Sequence, residues 1–101
     1  MKSMTNKNFF RALYEGYYGN DDCRYDWRRY LACVYIANNG KVEQFDIERS
    51  VNKFKTINCR MPIEKYREIV KSNPSLYAKY LMECDHYLRS QSSRYVAIYG
   101  R

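Results

Sequence analysis

Two prolines, Pro62 and Pro74, constrain this chain more than any other residues. A proline lacks an amide hydrogen and has a fixed φ, so it suits the first turn of a helix and breaks a helix interior. Each stands just ahead of apolar residues at helical spacing. Pro62 precedes Ile63, Tyr66 and Val70. Pro74 follows Asn73, a good capping residue, and precedes the best amphipathic stripe in the chain: Tyr77, Tyr80, Leu81, Cys84 and Leu88.

The same reading extends towards the N-terminus. Residues from about Asn6 to Tyr18 place Phe10, Leu13, Tyr14 and Tyr17 on one helical face, with Thr5 or Asn6 as the cap. Gly16, Gly19 and Asn20-Asp21-Asp22 then predict a polar loop. A second helix opens with Asp26 as its cap and aligns Trp27, Tyr30, Leu31, Val34 and Tyr35. Asn38-Asn39-Gly40 ends it, because glycine adopts the left-handed conformation freely. Asn-Gly is also a hairpin signal, which would pair residues 30–37 with 41–47 in an α+β fold. The apolar spacing favours the helix. From Glu43 to Phe54 the pattern is weaker: Ile47, Val51 and Phe54 share a face, while Val42 and Phe45 fall elsewhere.

Residues 94–100, Arg-Tyr-Val-Ala-Ile-Tyr-Gly, read as a strand with Val96 and Ile98 on one face and Tyr95, Ala97 and Tyr99 on the other. A lone strand needs a partner, and residues 55–58 are the candidate. The expected architecture is thus one domain over residues 1–101, mainly α, with four to five short helices and a small β element near the C-terminus. At 101 residues there is no room for two domains. Twelve tyrosines suit such a small core, since each buries a ring while its hydroxyl stays near water.

No stretch approaches the ~18 consecutive apolar residues of a membrane helix, and residues 1–6 lack the apolar core of a signal peptide. The expectation is a cytoplasmic protein without membrane contact. Its four cysteines, Cys23, Cys33, Cys59 and Cys84, are then reduced thiols.

The net charge of +7 is unevenly placed. Residues 1–48 hold seven basic and seven acidic side chains, whereas residues 49–101 hold eleven basic and four acidic, so the whole excess lies in the second half. One acid-free run carries Arg49, Lys53, Lys55 and Arg60; the other follows Asp85 and carries Arg89, Arg94 and Arg101. Clustered Lys and Arg release counterions condensed on phosphate chains, which points to nucleic acid or a nucleoprotein complex as the partner. An acidic protein surface is the alternative, and an excess of this size also keeps a small protein soluble. Tyr95 and Tyr99, flanked by Arg94 and Arg101, suit base stacking beside phosphate neutralisation.

Residues 40–54 loosely resemble the first half of a helix-turn-helix. A helix ending in Asn-Asn-Gly is followed by Phe45-Asp46-Ile47 opening the next, then by a polar turn near Asn52-Lys53. The resemblance implies that a following helix enters the major groove and that Thr56, Asn58 and Arg60 read base edges. That helix would have to begin between Lys55 and Met61, and Pro62 interrupts it.

Catalytic and metal motifs are weak. Cys84-Asp85-His86 has the residue types of a cysteine hydrolase, but consecutive helical side chains diverge and do not meet at one substrate atom. The cysteines lack Cys-x-x-Cys spacing, Asp21, Asp22 and Asp26 lack an EF-hand frame, and no glycine-rich phosphate loop is present. The expected protein is therefore a non-enzymatic binding module that needs no cofactor. A protein-binding inhibitor or adaptor, such as an accessory protein of a virus or mobile element, acting on a nucleic-acid-handling complex is the second expectation, since Tyr and Arg are enriched at interface hot spots. An exposed tyrosine stripe would also serve as the seam of a homodimer.

Overall fold

The computed structural model describes residues 7–15 and 23–99, with side chains for 8–15 and 23–91. These form α1 (Lys7–Glu15), α2 (Arg24–Ala37), α3 (Ile47–Thr56), α4 (Ile63–Ser72) and α5 (Pro74–Tyr99). The expected caps at Thr5 or Asn6, and the polar loop from Gly16 to Asp22, lie outside the described residues. Helix α2 is the centre of the fold and meets α1, α4 and α5. Helix α1 also touches α3 and α5, and α4 closes against α5.

Trp27 on α2 is fully buried, as its place on the apolar stripe predicts. Its indole Nε1 donates to the Ala12 carbonyl at 3.0 Å, tying α1 to α2. Phe54 of α3 meets the Trp27 ring edge-on at 5.3 Å and lies 5.2 Å from Tyr30. Phe9, absent from the expected stripe of α1, is fully buried against Phe10, Tyr35 and Phe45. The tyrosines complete this aromatic core. Tyr35 packs on Tyr80, Tyr80 on Tyr77, and the Tyr66 and Tyr77 hydroxyls share a hydrogen bond of 3.0 Å. Tyr87 stacks against both Phe10 and Tyr14 at 5.9 Å.

The Asn38-Asn39-Gly40 stop is realised, and the hairpin over residues 30–47 is not formed. The Gly40 amide donates to the Tyr35 carbonyl at 2.8 Å, with Asn39 and Gly40 both at positive φ. Asn38 adds a side-chain bond from Nδ2 to the Val34 carbonyl. Carbonyls at the helix end are thereby satisfied locally, and no strand ladder is needed.

Asp26 does not cap α2, which begins two residues earlier behind Cys23. It sits in the first turn, where a carboxylate is favoured by the helix dipole, and accepts the Met61 amide instead. Helix α3 starts at Ile47 rather than Glu43, with the Asp46 carboxylate accepting the Arg49 amide at 3.1 Å. Ile47, Val51 and Phe54 do face the core. Pro62 stands one residue ahead of α4, and Asn73 caps α5 through its bond from the Leu76 amide.

Two expectations fail in the second half. Of the strand expected over residues 94–100, residues 94–99 are instead the end of α5, residue 100 lies outside the described residues, and no strand exists among those described. Extending an existing helix adds a hydrogen bond per residue with no new nucleus, whereas a strand needs a paired edge. Residues 55–58 cannot supply that edge, because they finish α3 and enter a turn. At 26 residues α5 is also not short. Its expected stripe holds at Tyr80 and Cys84, which are buried, and at Tyr77, which is half-buried beside Tyr87, whereas Leu81 and Leu88 are 48% and 46% exposed.

The helix-turn-helix expectation fails as well. Asn52 and Lys53 lie inside α3, and residues 57–59 form a turn with Asn58 and Cys59 at positive φ. Thr56, Asn58 and Arg60 therefore share no recognition helix.

Candidate nucleic-acid interface

An open groove of about 440 Å³ runs between the C-terminal half of α2, the connection after it and the first turns of α3. Its apolar lining comes from Tyr30, Val34, Val42 and Phe45. Tyr30 and Val34 lie one turn apart on α2, so both face α3. Val42 is pulled into the core behind the Gly40 stop, which brings Phe45 alongside.

Lys41, Arg49 and Lys53 line the same groove. Arg49 and Lys53 stand at i and i+4 on α3, with about 5–6 Å expected between their Cβ atoms. Ion pairs at Arg11–Glu15, Arg29–Asp26 and Arg89–Asp85 leave these three cations out. Asp46 is the single carboxylate in the lining, and it is engaged as the α3 cap at the positive end of that helix. The groove thus presents three cations and one anion over a half-apolar floor.

The other expected contact residues are distributed differently. Lys55 is exposed in the last turn of α3, outside the groove. Arg60 lines a second cavity of about 340 Å³ with Cys23, Asp26, Asn58, Cys59 and Pro62. Arg89 is exposed on α5 and pairs with Asp85 at 3.2 Å. A surface pair of this kind contributes roughly 0–1 kcal/mol, so it holds Arg89 only weakly. Arg94, Tyr95 and Tyr99 belong to α5 rather than to a strand, so the expected strand face does not exist. Their side chains, and Arg101 entirely, lie outside the described residues.

Arg49 and Lys53 are therefore brought together with partners that charge counting did not single out. Lys41 belongs to the electroneutral first half, and Tyr30 and Val34 read only as core positions. A signal existed in retrospect: Lys41 directly follows the helix stop, so it emerges at the mouth of whatever the next helix encloses.

The remaining reactive groups are separated. Cys84 is buried while Asp85 and His86 are exposed, so the three do not converge. Burial pushes the Cys84 thiol above its ordinary range, against the lowering effect of the Tyr14 and Tyr80 hydroxyls. Burial likewise moves the Cys33 thiol up to about 11, with Lys65 opposing. The four cysteines are free thiols. Among the described residues no group of three His, Cys, Asp or Glu is placed to hold a metal ion. None of the helices there is long and apolar enough to cross a membrane.

No protein family, curated protein or solved structure matches this chain.

Proposed function

We propose that this protein is a non-enzymatic binding module that contacts the phosphate chain of a nucleic acid, or of a nucleoprotein complex, through its basic second half. The observation that supports this is the grouping of Arg49 and Lys53 with Lys41 along one groove, outside the ion pairs among the described residues. Lys55, Arg60, Arg89, Arg94 and Arg101 supply further phosphate contacts on this reading, and Tyr95 and Tyr99 stack on bases. Each cation that meets a phosphate releases about one condensed counterion, so affinity falls steeply with salt.

The test is binding of the nuclease-treated protein to labelled single- and double-stranded DNA and RNA across a salt series. Arg49→Ala and Lys53→Ala each reduce the slope of log affinity against log salt by roughly one. An unchanged slope in both variants overturns the assignment.

A second reading draws on a different observation. Leu81, Met82 and Leu88 are 48%, 72% and 46% exposed on α5, an apolar surface that phosphate binding does not use. It suits an inhibitor or adaptor that docks on a protein of a nucleic-acid-handling complex. Association that survives nuclease and ~0.5 M salt, and is lost in Leu81→Glu/Leu88→Glu, favours it over the first, since phosphate contacts fade at that ionic strength.

A further inference from the structure

The charge of the α2–α3 groove accounts for a polyanion, but not for its shape or its apolar lining. A phosphate chain alone needs only cations along its path, and a basic groove can track it without any aromatic lining. This site is concave, with Tyr30, Val34 and Phe45 along it. Its volume of about 440 Å³ falls within the usual range of small-ligand sites, roughly 300–1,000 Å³. Tyr30 and Phe45 are both half-buried: each is anchored in the core, Tyr30 against Trp27 and Phe54 and Phe45 against Phe9, and each keeps part of its surface in the groove.

We infer that the groove receives one unstacked base of a single-stranded nucleic acid, with the flanking phosphates held by Lys41, Arg49 and Lys53. The inference rests on the nucleic-acid reading above and adds a strand preference to it. A base has an apolar face for Tyr30 and Phe45, and polar edges for Gln44 and Ser50, which line the same groove. A duplex keeps its bases paired inside a convex cylinder and offers nothing that enters such a concavity without being flipped out, at a cost of a few kcal/mol. Single strands present unpaired bases that can be splayed out of their stack at little cost. The neighbouring cations line the same groove: Arg49 and Lys53 lie one helical turn apart on α3, and Lys41 comes from the connection that precedes it.

The experiment compares three probes of equal length at one salt concentration: a single strand, the same strand with abasic sugars throughout, and the duplex, each made as DNA and as RNA. The base-bearing single strand binds the intact protein roughly tenfold more tightly than the abasic strand, within the gain that one base–aromatic stack supplies. It also binds more tightly than the duplex. Two variants, Ala37→Trp and Gln44→Trp, fill the groove from positions that are themselves exposed. Both lower single-strand affinity to that of the abasic probe while leaving the salt slope unchanged. Equal binding of the abasic and base-bearing strands overturns the base site and leaves the phosphate reading standing. So does a strand preference that survives both tryptophan variants, or tighter binding of the duplex. Failure of every probe to bind removes both readings together.

Discussion

Asp26 and Arg29, one turn apart on α2, hold both polar groups of Met61 in the connection between α3 and α4. The Asp26 Oδ1 accepts the Met61 amide at 2.8 Å, and Arg29 Nε donates to the Met61 carbonyl, also at 2.8 Å. Arg29 Nη2 closes the triangle on Asp26 at 3.1 Å. Met61 is buried and lies just beyond Asn58 and Cys59, both in the left-handed region, so its backbone enters the interior where no helix or strand satisfies it. The two side chains take the place of a secondary-structure ladder.

Removing one member of this triangle is expected to be costly. Asp26→Ala leaves a buried amide without its acceptor and a half-buried guanidinium without its counter-charge, a loss of about 1–3 kcal/mol. Arg29→Ala costs a similar amount, and the double variant costs less than the sum because the two share one set of bonds. Urea unfolding measures all three. An Asp26→Ala midpoint equal to that of the parent protein would mean that the connection finds other partners.

Gly40 is expected to be the least replaceable residue of the α2–α3 connection. Its φ of +76° lies in the left-handed region, and a Cβ there would sit 3.1 Å from the Tyr35 hydroxyl oxygen. The conformation alone costs an L-residue roughly 1–2 kcal/mol, and Tyr35 is fully buried and poorly able to yield. Gly40→Ala therefore lowers stability by at least that amount. Because this turn positions Lys41 and Val42, the proposed nucleic-acid binding is expected to weaken with it. Thermal unfolding beside the binding titration checks both effects, and an unaltered melting temperature contradicts the strain.

Alkaline pH should destabilise the fold before neutral or mildly acidic pH does. Cys33 is raised from 9.0 to about 11 by burial, and burial also raises Tyr14, Tyr35, Tyr66 and Tyr80 above the ordinary tyrosine value. All are acids that the folded state keeps protonated, so the unfolded chain gives up protons first. Stability is then fully present below about pH 9 and is lost as pH climbs through 9 to 11 and beyond. Urea midpoints followed by circular dichroism should be level near neutrality and fall above pH 9. Cys33→Ala should weaken the earliest part of that fall. A midpoint that holds steady to pH 11 contradicts the burial of these groups.

Much of the helical plan is legible in the chain because its punctuation is local. Gly40 with two asparagines, Pro62, and Asn73-Pro74 each act through one turn of backbone, and each marks a real helix end. Trp27 and the Ile47, Val51 and Phe54 face are legible for a related reason, being apolar residues at the helical period. The C-terminal strand is not legible as helix because Tyr, Val and Ile suit strands only when a partner edge is at hand, and there is none among the described residues. The α5 stripe is legible at Tyr77, Tyr80 and Cys84 but not at its edge: only the positions of α1 and α2 decide that Tyr87 is covered and Leu88 is not.

The candidate site divides in the same way. The cation excess of residues 49–101 is a property of the chain, and so is the i, i+4 pairing of Arg49 with Lys53 once α3 is a helix. By itself the sequence determined the helix ends at Gly40, Pro62 and Asn73-Pro74 and which half is basic, because caps, proline and net charge act locally or simply add. Only the tertiary structure decided that Lys41, Tyr30, Val34 and Phe45 join Arg49 and Lys53 around one groove. Those residues come from two helices and a connection, and what brings them together is the burial of Trp27, Phe54 and Val42 in a shared core, a collective result that no short window of residues encodes.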